Sequence, residues 1–393
     1  MAETSIHLLE RIAGEAKLIV FHDGSKVTDT FFLTSTPVRG FERIVLGKNP
    51  LFVIEAVKRI CGICHAAHAI AAAEAFEDAM GITSPPNGRI LREVIGLINR
   101  VQSHITHLAL ILPDLVEPSN LNTLLIECMK LLGAVNEVMT RIGGAPTHPT
   151  NITIGGVLKA PTEAALKESL RRIGDVRKRY SVLQENILSS MNNSEKINLL
   201  KKHTIPDNIG FLASHLFYGD KYTINVKYVN VVRYEKYKGS SVSGEYKTTS
   251  MIALYNKHVV EVGPRARLSL FREFNNRSLI ALQIARFIEI DIVLQRITEL
   301  LERVSLTAPV RSIVMAYGYG RGVGVYEAPR GILIHLVELG SEGRVKQYHI
   351  VVPTMFIIPV IEHTLRGLPI KIVDVIPRLF DPCIPCSTHL IEV

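Results

Sequence analysis

Four of the five cysteines in this 393-residue chain form two Cys-x-x-Cys pairs. The first is Arg59-Ile60-Cys61-Gly62-Ile63-Cys64, with His68 four positions on. The second is Asp381-Pro382-Cys383-Ile384-Pro385-Cys386, with His389 three positions on. Two residues between thiols let both reach one metal without strain, and two such pairs make a four-thiolate set suited to soft or borderline metals. Structural zinc, an iron–sulfur cluster and a redox or catalytic metal all fit this set. Zinc ranks first on spacing alone, yet a chain of this size has ample core and hardly needs a staple to fold. Arg59 and Asp381 each stand two positions before the first cysteine of a pair. Fixed charges of this kind favour a centre that moves protons and electrons. Cys128 reads as a small buried hydrophobe.

The rest of the chain must position these pairs. Apolar residues make up 47% and charged residues 21%, which excludes low-complexity disorder. The cysteine count is too low for a disulfide framework and fits a reducing compartment. No apolar run reaches the ~18 uncharged residues of a spanning helix. Leu279–Ile297, for example, contains Arg286, Glu289, Asp291 and Arg296. The N-terminus lacks the basic start and clean apolar run of a secretory signal. Net charge is +8, but the densest basic run (Arg171, Arg172, Arg177, Lys178, Arg179) is interleaved with no aromatic except Tyr180. We therefore expect no nucleic-acid partner.

Residues 15–35 read as a hairpin turning at Asp23-Gly24. Helical periodicity covers 50–81, 89–112, 120–139, 160–188 and 268–306. The stretch 143–149 is a loop. Residues 222–262, rich in Val, Tyr and Thr with a Gly/Ser turn at 239–244, read as an antiparallel strand insertion. Glycine turns alternate with β-like runs over 309–362, including 332–336 and 349–353. The expected class is α+β: one domain, 1–393, with a large mainly helical body, small antiparallel β elements and a β-rich insertion at about 222–262.

The motifs RICGICHAAH at 59–68 and DPCIPCSTH at 381–389 resemble the two metal motifs of the large subunit of nickel–iron hydrogenases. PVRGFE at 37–42, GGAPTHP at 143–149, EVGPRAR at 261–267, EAPRG at 327–331 and VVPT at 351–354 follow in that family's order. The likeness spans nearly the whole chain and looks most like the cytoplasmic archaeal branch, deazaflavin-reducing or heterodisulfide-reductase-linked. It implies the hydrogenase large-subunit fold and reversible heterolytic cleavage of dihydrogen at a Ni-Fe centre whose iron carries CO and CN. Carried over, Cys61 and Cys383 are terminal nickel ligands, while Cys64 and Cys386 bridge nickel and iron. Arg330 lies over the metals. Pro353 and Thr354 contact the iron ligands, and Asp381 and Asp114 are canopy carboxylates. His68 hydrogen-bonds a bridging sulfur. Glu42, His389 and the carbonyl of Ile350 hold a second ion, magnesium or iron. His104 and His107 resemble the family's helix beside the site but read as satisfied core histidines. The resemblance also implies an iron–sulfur small subunit, further redox subunits carrying flavin, deazaflavin or heterodisulfide reductase activity, and maturation factors for nickel insertion.

The chain departs from the family at three places. R-I-E-G-H becomes Arg11-Ile12-Ala13-Gly14-Glu15, so the proton-carrying glutamate is Ala13. Strand alternation would put Glu15 on the same side as a substitute. VVPT is followed by Met355-Phe356-Ile357 rather than T-W-N. Only four residues follow His389, whereas family precursors are usually cut there. We expect no cleavage, and an intact mass ending at His389 would overturn this. A non-catalytic paralogue keeping the metal box is the alternative reading, hinted at by Ala13.

Overall fold

The computed structural model describes residues 3–191, 194–239, 248–313 and 318–387. Strands β1 (Glu3–Leu9), β2 (Ala16–His22) and β3 (Val27–Leu33) form an antiparallel sheet in sequence order. The hairpin expected from Asp23-Gly24 is β2–β3, and the Asp23 carboxylate caps the turn by accepting from the backbone N–H groups of Ser25 and Lys26. β1 was not expected. Short helices α1 (Phe41–Ile44) and α2 (Pro50–Val57) lead to a 3-10 turn at Lys58–Ile60 and into the first cysteine pair. The helical pattern of 50–81 is thus broken where the cysteines lie, and resumes as α3 (His65–Met80).

The helical body follows as α4 (Pro86–Leu115), α5 (Pro118–Gly143), α6 (Glu163–Ser190) and α7 (Glu195–Lys202). Both α4 and α5 open with proline in the first turn, where its fixed φ suits the helix and its missing N–H costs nothing. The pairs β4 (Ile152–Thr153) with β5 (Gly156–Val157), and β6 (Gly210–Phe211) with β9 (Val260–Glu261), are minimal ladders. Within 222–262, β7 (Val229–Arg233) pairs antiparallel with β8 (Met251–Tyr255), and a short helix α8 (Tyr234–Lys238) follows β7. Residues 240–244 of the expected turn lie outside the described residues. The helical pattern of 268–306 divides into α9 (Pro264–Phe271) and α10 (Ala281–Glu302).

A second antiparallel sheet, β10 (Gly320–Ala328), β11 (Gly331–Leu339) and β12 (Val345–Val351), lies against α3. The contact is backbone to backbone. A Cβ at Gly322 would sit 2.0 Å from the Ala75 carbonyl oxygen, and one at Gly324 1.9 Å from that of Ala71. The run expected to be β-like over 349–353 ends at Val351. Pro353 starts helix α11 (Pro353–Leu365), another proline in a first turn. Helix α12 (Ile376–Phe380) precedes the second cysteine pair, Cys383 stands between the helices, and Cys386 lies within α13 (Ile384–Ser387).

The basic run on α6 is laced with acids. Arg171 meets Glu168 and Asp175, Arg177 meets Asp291, and Arg179 meets Glu127.

Candidate metal centre

The two cysteine pairs meet. Cys61 Sγ lies 3.3 Å from Cys383 Sγ, Cys64 Sγ 3.3 Å from Cys386 Sγ, and Cys383 Sγ 3.0 Å from Cys386 Sγ. All four sulfurs are buried and fall within 4.8 Å of one another, and no other described cluster of three or more metal-ligating side chains occurs. Each strand of the constellation has a local cause. The loop after Lys58–Ile60 turns Cys61 inward, where its sulfur accepts from the N–H groups of Ile63 and Cys64. Asp381 closes α12 in the left-handed conformation, φ 56°, which Asp tolerates better than most residues. That turn aims Cys383 at the site, where its N–H donates to Thr354 Oγ1 at 2.9 Å. Arg39 of the PVRGFE motif ties the two loops together by donating to the carbonyls of Ile60 and Pro385, each at 2.5 Å.

The thiols cannot all ionise unaided. Hydrogen bonds from Cys383, Cys386 and Cys64 bring the Cys61 thiol well below its ordinary range. Hydrogen bonding to Cys383 pushes Cys64 up, and burial pushes Cys386 up. A cation is the partner this set lacks, because metal binding releases thiol protons and leaves thiolates. The donors are all sulfur, so they fit a soft or borderline metal such as nickel.

A small cavity beside Cys64, Cys383 and Cys386 is walled by His68, Arg330, Pro353, Thr354, Ala328 and Leu333. Arg330 is clamped there. Its Nε donates to the Asp381 carbonyl at 2.7 Å, Nη2 to Asp381 Oδ1 at 2.9 Å, and Nη1 to Ser103 Oγ at 3.2 Å. Burial alone would raise the Asp381 carboxyl, but Arg330, His107 and Arg286 together hold it below the usual range. Burial would lower Arg330, but Asp381 and the cysteines outweigh it and keep the guanidinium charged. His68 Nε2 lies 3.8 Å from Cys386 Sγ.

Other expected residues lie elsewhere. Asp114 pairs with Arg378 at 2.8 and 2.9 Å and with Arg11 at 3.0 Å, at the end of α4, and does not line the cavity. Ala13 bridges Cys383 through the backbone, accepting from Ile384 N–H at 2.8 Å. Residues 10–15 lie between β1 and β2 with Gly14 at φ +97°, so strand alternation does not hold there, and Glu15 is exposed. Glu42 is buried and accepts from Ile350 N–H at 2.6 Å, and burial pushes it up to about 8. It therefore meets Ile350 through the amide. His389 lies outside the described residues. His104 is satisfied by Glu289 at 2.7 Å. His107 pairs with Gln283 at 3.0 Å but also faces Asp381 at 3.4 Å. Ser103 and Arg39 escaped notice in the sequence. Arg39 alone had a signal, lying within PVRGFE.

Fold and site define a metalloprotein whose chain ends converge on a buried four-thiolate centre. A model of the nickel-dependent hydrogenase family matches residues 39–123. The coenzyme F420 hydrogenase subunit alpha of Methanocaldococcus jannaschii is 35% identical, covering 97% of this chain and 92% of its own. The sulfhydrogenase 2 subunit alpha of Pyrococcus furiosus is 27% identical, covering 98% of each. In fold, the nickel–iron–selenium hydrogenase of D. vulgaris Hildenborough matches with a TM-score of 0.85 at 24% identity, covering 99% of this chain and 100% of that one. The chain belongs to the nickel-dependent hydrogenase family, is homologous to its catalytic large subunits, and is a hydrogenase, an oxidoreductase.

Proposed function

We propose that Cys61 and Cys383 hold nickel terminally and that Cys64 and Cys386 share it with an iron carrying CO and CN. The observation that carries this reading is the cavity beside the bridging pair. Its walls are mostly apolar, with one fixed cationic donor, Arg330, and the Pro353–Thr354 turn, a lining suited to small diatomic ligands. When bound, the metals act as Lewis acids that polarise dihydrogen toward heterolysis. The chain's own groups set the field. Arg330 stays charged and Asp381 stays ionised, so the pair orients charge and does not store a proton. Thr354 anchors the Cys383 amide, and His68 tunes the Cys386 sulfur. Glu42, the Ile350 carbonyl and His389 are the proposed holders of a magnesium or iron ion.

The proton must leave without an acid at Ala13. Glu15, at the surface, fits the outer end of a water-filled route and not its first acceptor.

Electrons must leave as well. Once four cysteines are spent only Cys128 remains, buried in α5. A partner bearing iron–sulfur clusters is therefore required, and the relatives' designation as alpha subunits supports one. We extend the deazaflavin coenzyme in one relative's name to this complex as acceptor, through further redox subunits, with maturation factors inserting nickel. The cytoplasm suits four cysteines kept as thiols. No described helix is long and apolar enough to cross a membrane, and the acid-laced basic run argues against nucleic acid. We treat 1–393 as one domain with 222–262 as its β-rich insertion.

The infrared spectrum of the complex from its native source tests this. Sharp bands of iron-bound CO and CN are expected. A blank window in a metallated sample means that the thiolates hold a simpler ion. The absence of an acid at Ala13 favours a second reading, a non-catalytic structural subunit. Hydrogen–deuterium exchange by the complex would exclude it.

A further inference from the structure

Arg330 stands in the two-residue turn between β10 and β11, where Ala328 pairs with Gly331 and Pro329 and Arg330 make the corner. Proline fixes its own φ at about −65°, and neither corner residue has a positive φ. That excludes the primed turns whose twist suits a two-residue hairpin. The hairpin alone therefore does not fix where Arg330 points. Arg267 of α9 supplies what the turn lacks. Its Nη1 donates to the Ala328 carbonyl at 3.0 Å and to Glu327 Oε2 at 3.0 Å, and its Nη2 to the Pro329 carbonyl at 2.9 Å. Its Nε and Nη2 donate to the two carboxylate oxygens of Glu289 on α10, at 2.6 and 2.7 Å. A guanidinium has five N–H donors. All are spent, two on the Glu289 anchor and three on residues 327–329.

The surroundings are closed. Arg267, Arg100, Glu289 and Glu327 are all 0% exposed, two charges of each sign. Arg100 Nη2 donates to the Glu327 carbonyl at 2.6 Å, and Ser214 donates its N–H and hydroxyl to Glu327 Oε1 at 2.7 and 3.0 Å. Gly263, just before α9, lies so near that a Cβ there would sit 2.8 Å from the Arg330 carbonyl oxygen. Burial would raise the Glu289 carboxyl, but Arg267 and Arg100 hold it well below its ordinary range, so the anchor stays charged. Charge-assisted bonds in a buried network are the strong kind, and Arg267 cannot shift without breaking several at once.

We propose that Arg267, anchored by Glu289, is a positioning residue that sets where Arg330 stands over the cysteines by gripping the carbonyls of the turn that carries it. This inference rests on the reading of Arg330 as the fixed donor over the metals.

A double-mutant cycle on the complex tests it. Arg267→Lys keeps a charge beside Glu289 but has too few donors to hold anchor and turn together. Hydrogen turnover is expected to fall roughly tenfold, less than the ~100-fold that a misplacement of about 1 Å can cost, with nickel content unchanged. In an Arg330→Lys background the same substitution is expected to cost less than about twofold, because no fork is left to aim. A merely structural role predicts the same loss in both backgrounds, and that result overturns the proposal. Crystals of the Arg267→Lys complex give a second readout. The 328–330 turn should be displaced and the Arg330 bond to Ser103 lost, and an Arg330 in its wild-type place overturns the proposal whatever the rates. If Arg267→Lys fails to retain nickel, Glu289→Gln, which keeps the anchor's shape without its charge, decides by the same cycle. Loss of nickel from both variants would mean that the pair holds the fold and not the aim, and would also overturn it. A slow Arg330→Lys beside a wild-type Arg267→Lys overturns this proposal alone. Wild-type turnover in Arg330→Lys overturns the reading of Arg330 and the proposal with it.

Discussion

Two carboxylates that the sequence set side by side, Asp381 and Asp114, part company in the folded chain. Asp381 meets Arg330 over the cysteines, whereas Asp114 binds Arg378 and Arg11 and so fastens the N-terminal loop and α12 to the end of α4. Their variants should therefore fail differently. Asp114→Asn leaves Arg378 with Asp374 alone and takes the carboxylate from the partly exposed Arg11, and should cost about 2 kcal/mol of stability, the scale of hydrogen bonds to charged groups. We expect a lower melting temperature with the infrared bands unmoved. Shifted bands at unchanged stability would instead return Asp114 to the centre. Arg330→Lys keeps the charge but loses the planar fork that reaches Asp381 and Ser103 together. Turnover should fall about 100-fold, the scale of removing one oriented donor from an active site, while nickel stays bound. Wild-type turnover in Arg330→Lys would show that a point charge suffices.

At the scale of elements, the site is positioned by how closely α3 and β10 approach. Alanines four apart on α3 (Ala71, Ala75, Ala79) share a face, as do glycines two apart on β10 (Gly320, Gly322, Gly324). The strand runs along the helix toward Cys64 and His68 and delivers Arg330 at its end. Gly324→Ala would drive a methyl against the Ala71 carbonyl, a backbone atom that cannot step aside. We expect a loss of about 3 kcal/mol, the upper range of overpacking, seen as a depressed melting temperature. Gly133 in α5 has open space and ordinary helical φ, and Gly133→Ala should stabilise by about 0.5–1 kcal/mol. Equal effects of the two would deny the close contact. This spacing was visible in the sequence but carried no sign that helix and strand face each other. The cysteine pairs, the hairpin at Asp23-Gly24 and the long period of α4 were legible because each is a local pattern. Alternation gave no guide to Glu15, because residues 10–15 are no strand and Gly14 turns the chain with a positive φ. The start of α11 was hidden because Val351-Val352-Pro353 reads as strand until the proline is seen to open a helix.

For the whole molecule, the centre joins residues 322 apart in sequence. If nothing else held the ends together, closing so long a loop would be worth about 6 kcal/mol in the chain-entropy picture. Much else holds them. Arg39 clasps Ile60 and Pro385, Ala13 accepts from Ile384, Ser387 meets Ser250 at 2.8 Å, and Asp381 is gripped by Arg330. The loop is therefore closed mostly by protein contacts, and the metal adds to an assembly already made. Nickel starvation should accordingly yield a folded chain with an unchanged far-ultraviolet circular dichroism spectrum. Amide exchange should rise at 59–64 and 381–387 and nowhere in α4 or α10, because the two cysteine loops depend on the metal locally while the helical body does not. Exchange that rises throughout the chain, with loss of helix signal, would show instead that the four thiolates are a folding staple, and the structural-zinc logic would then apply to a nickel centre.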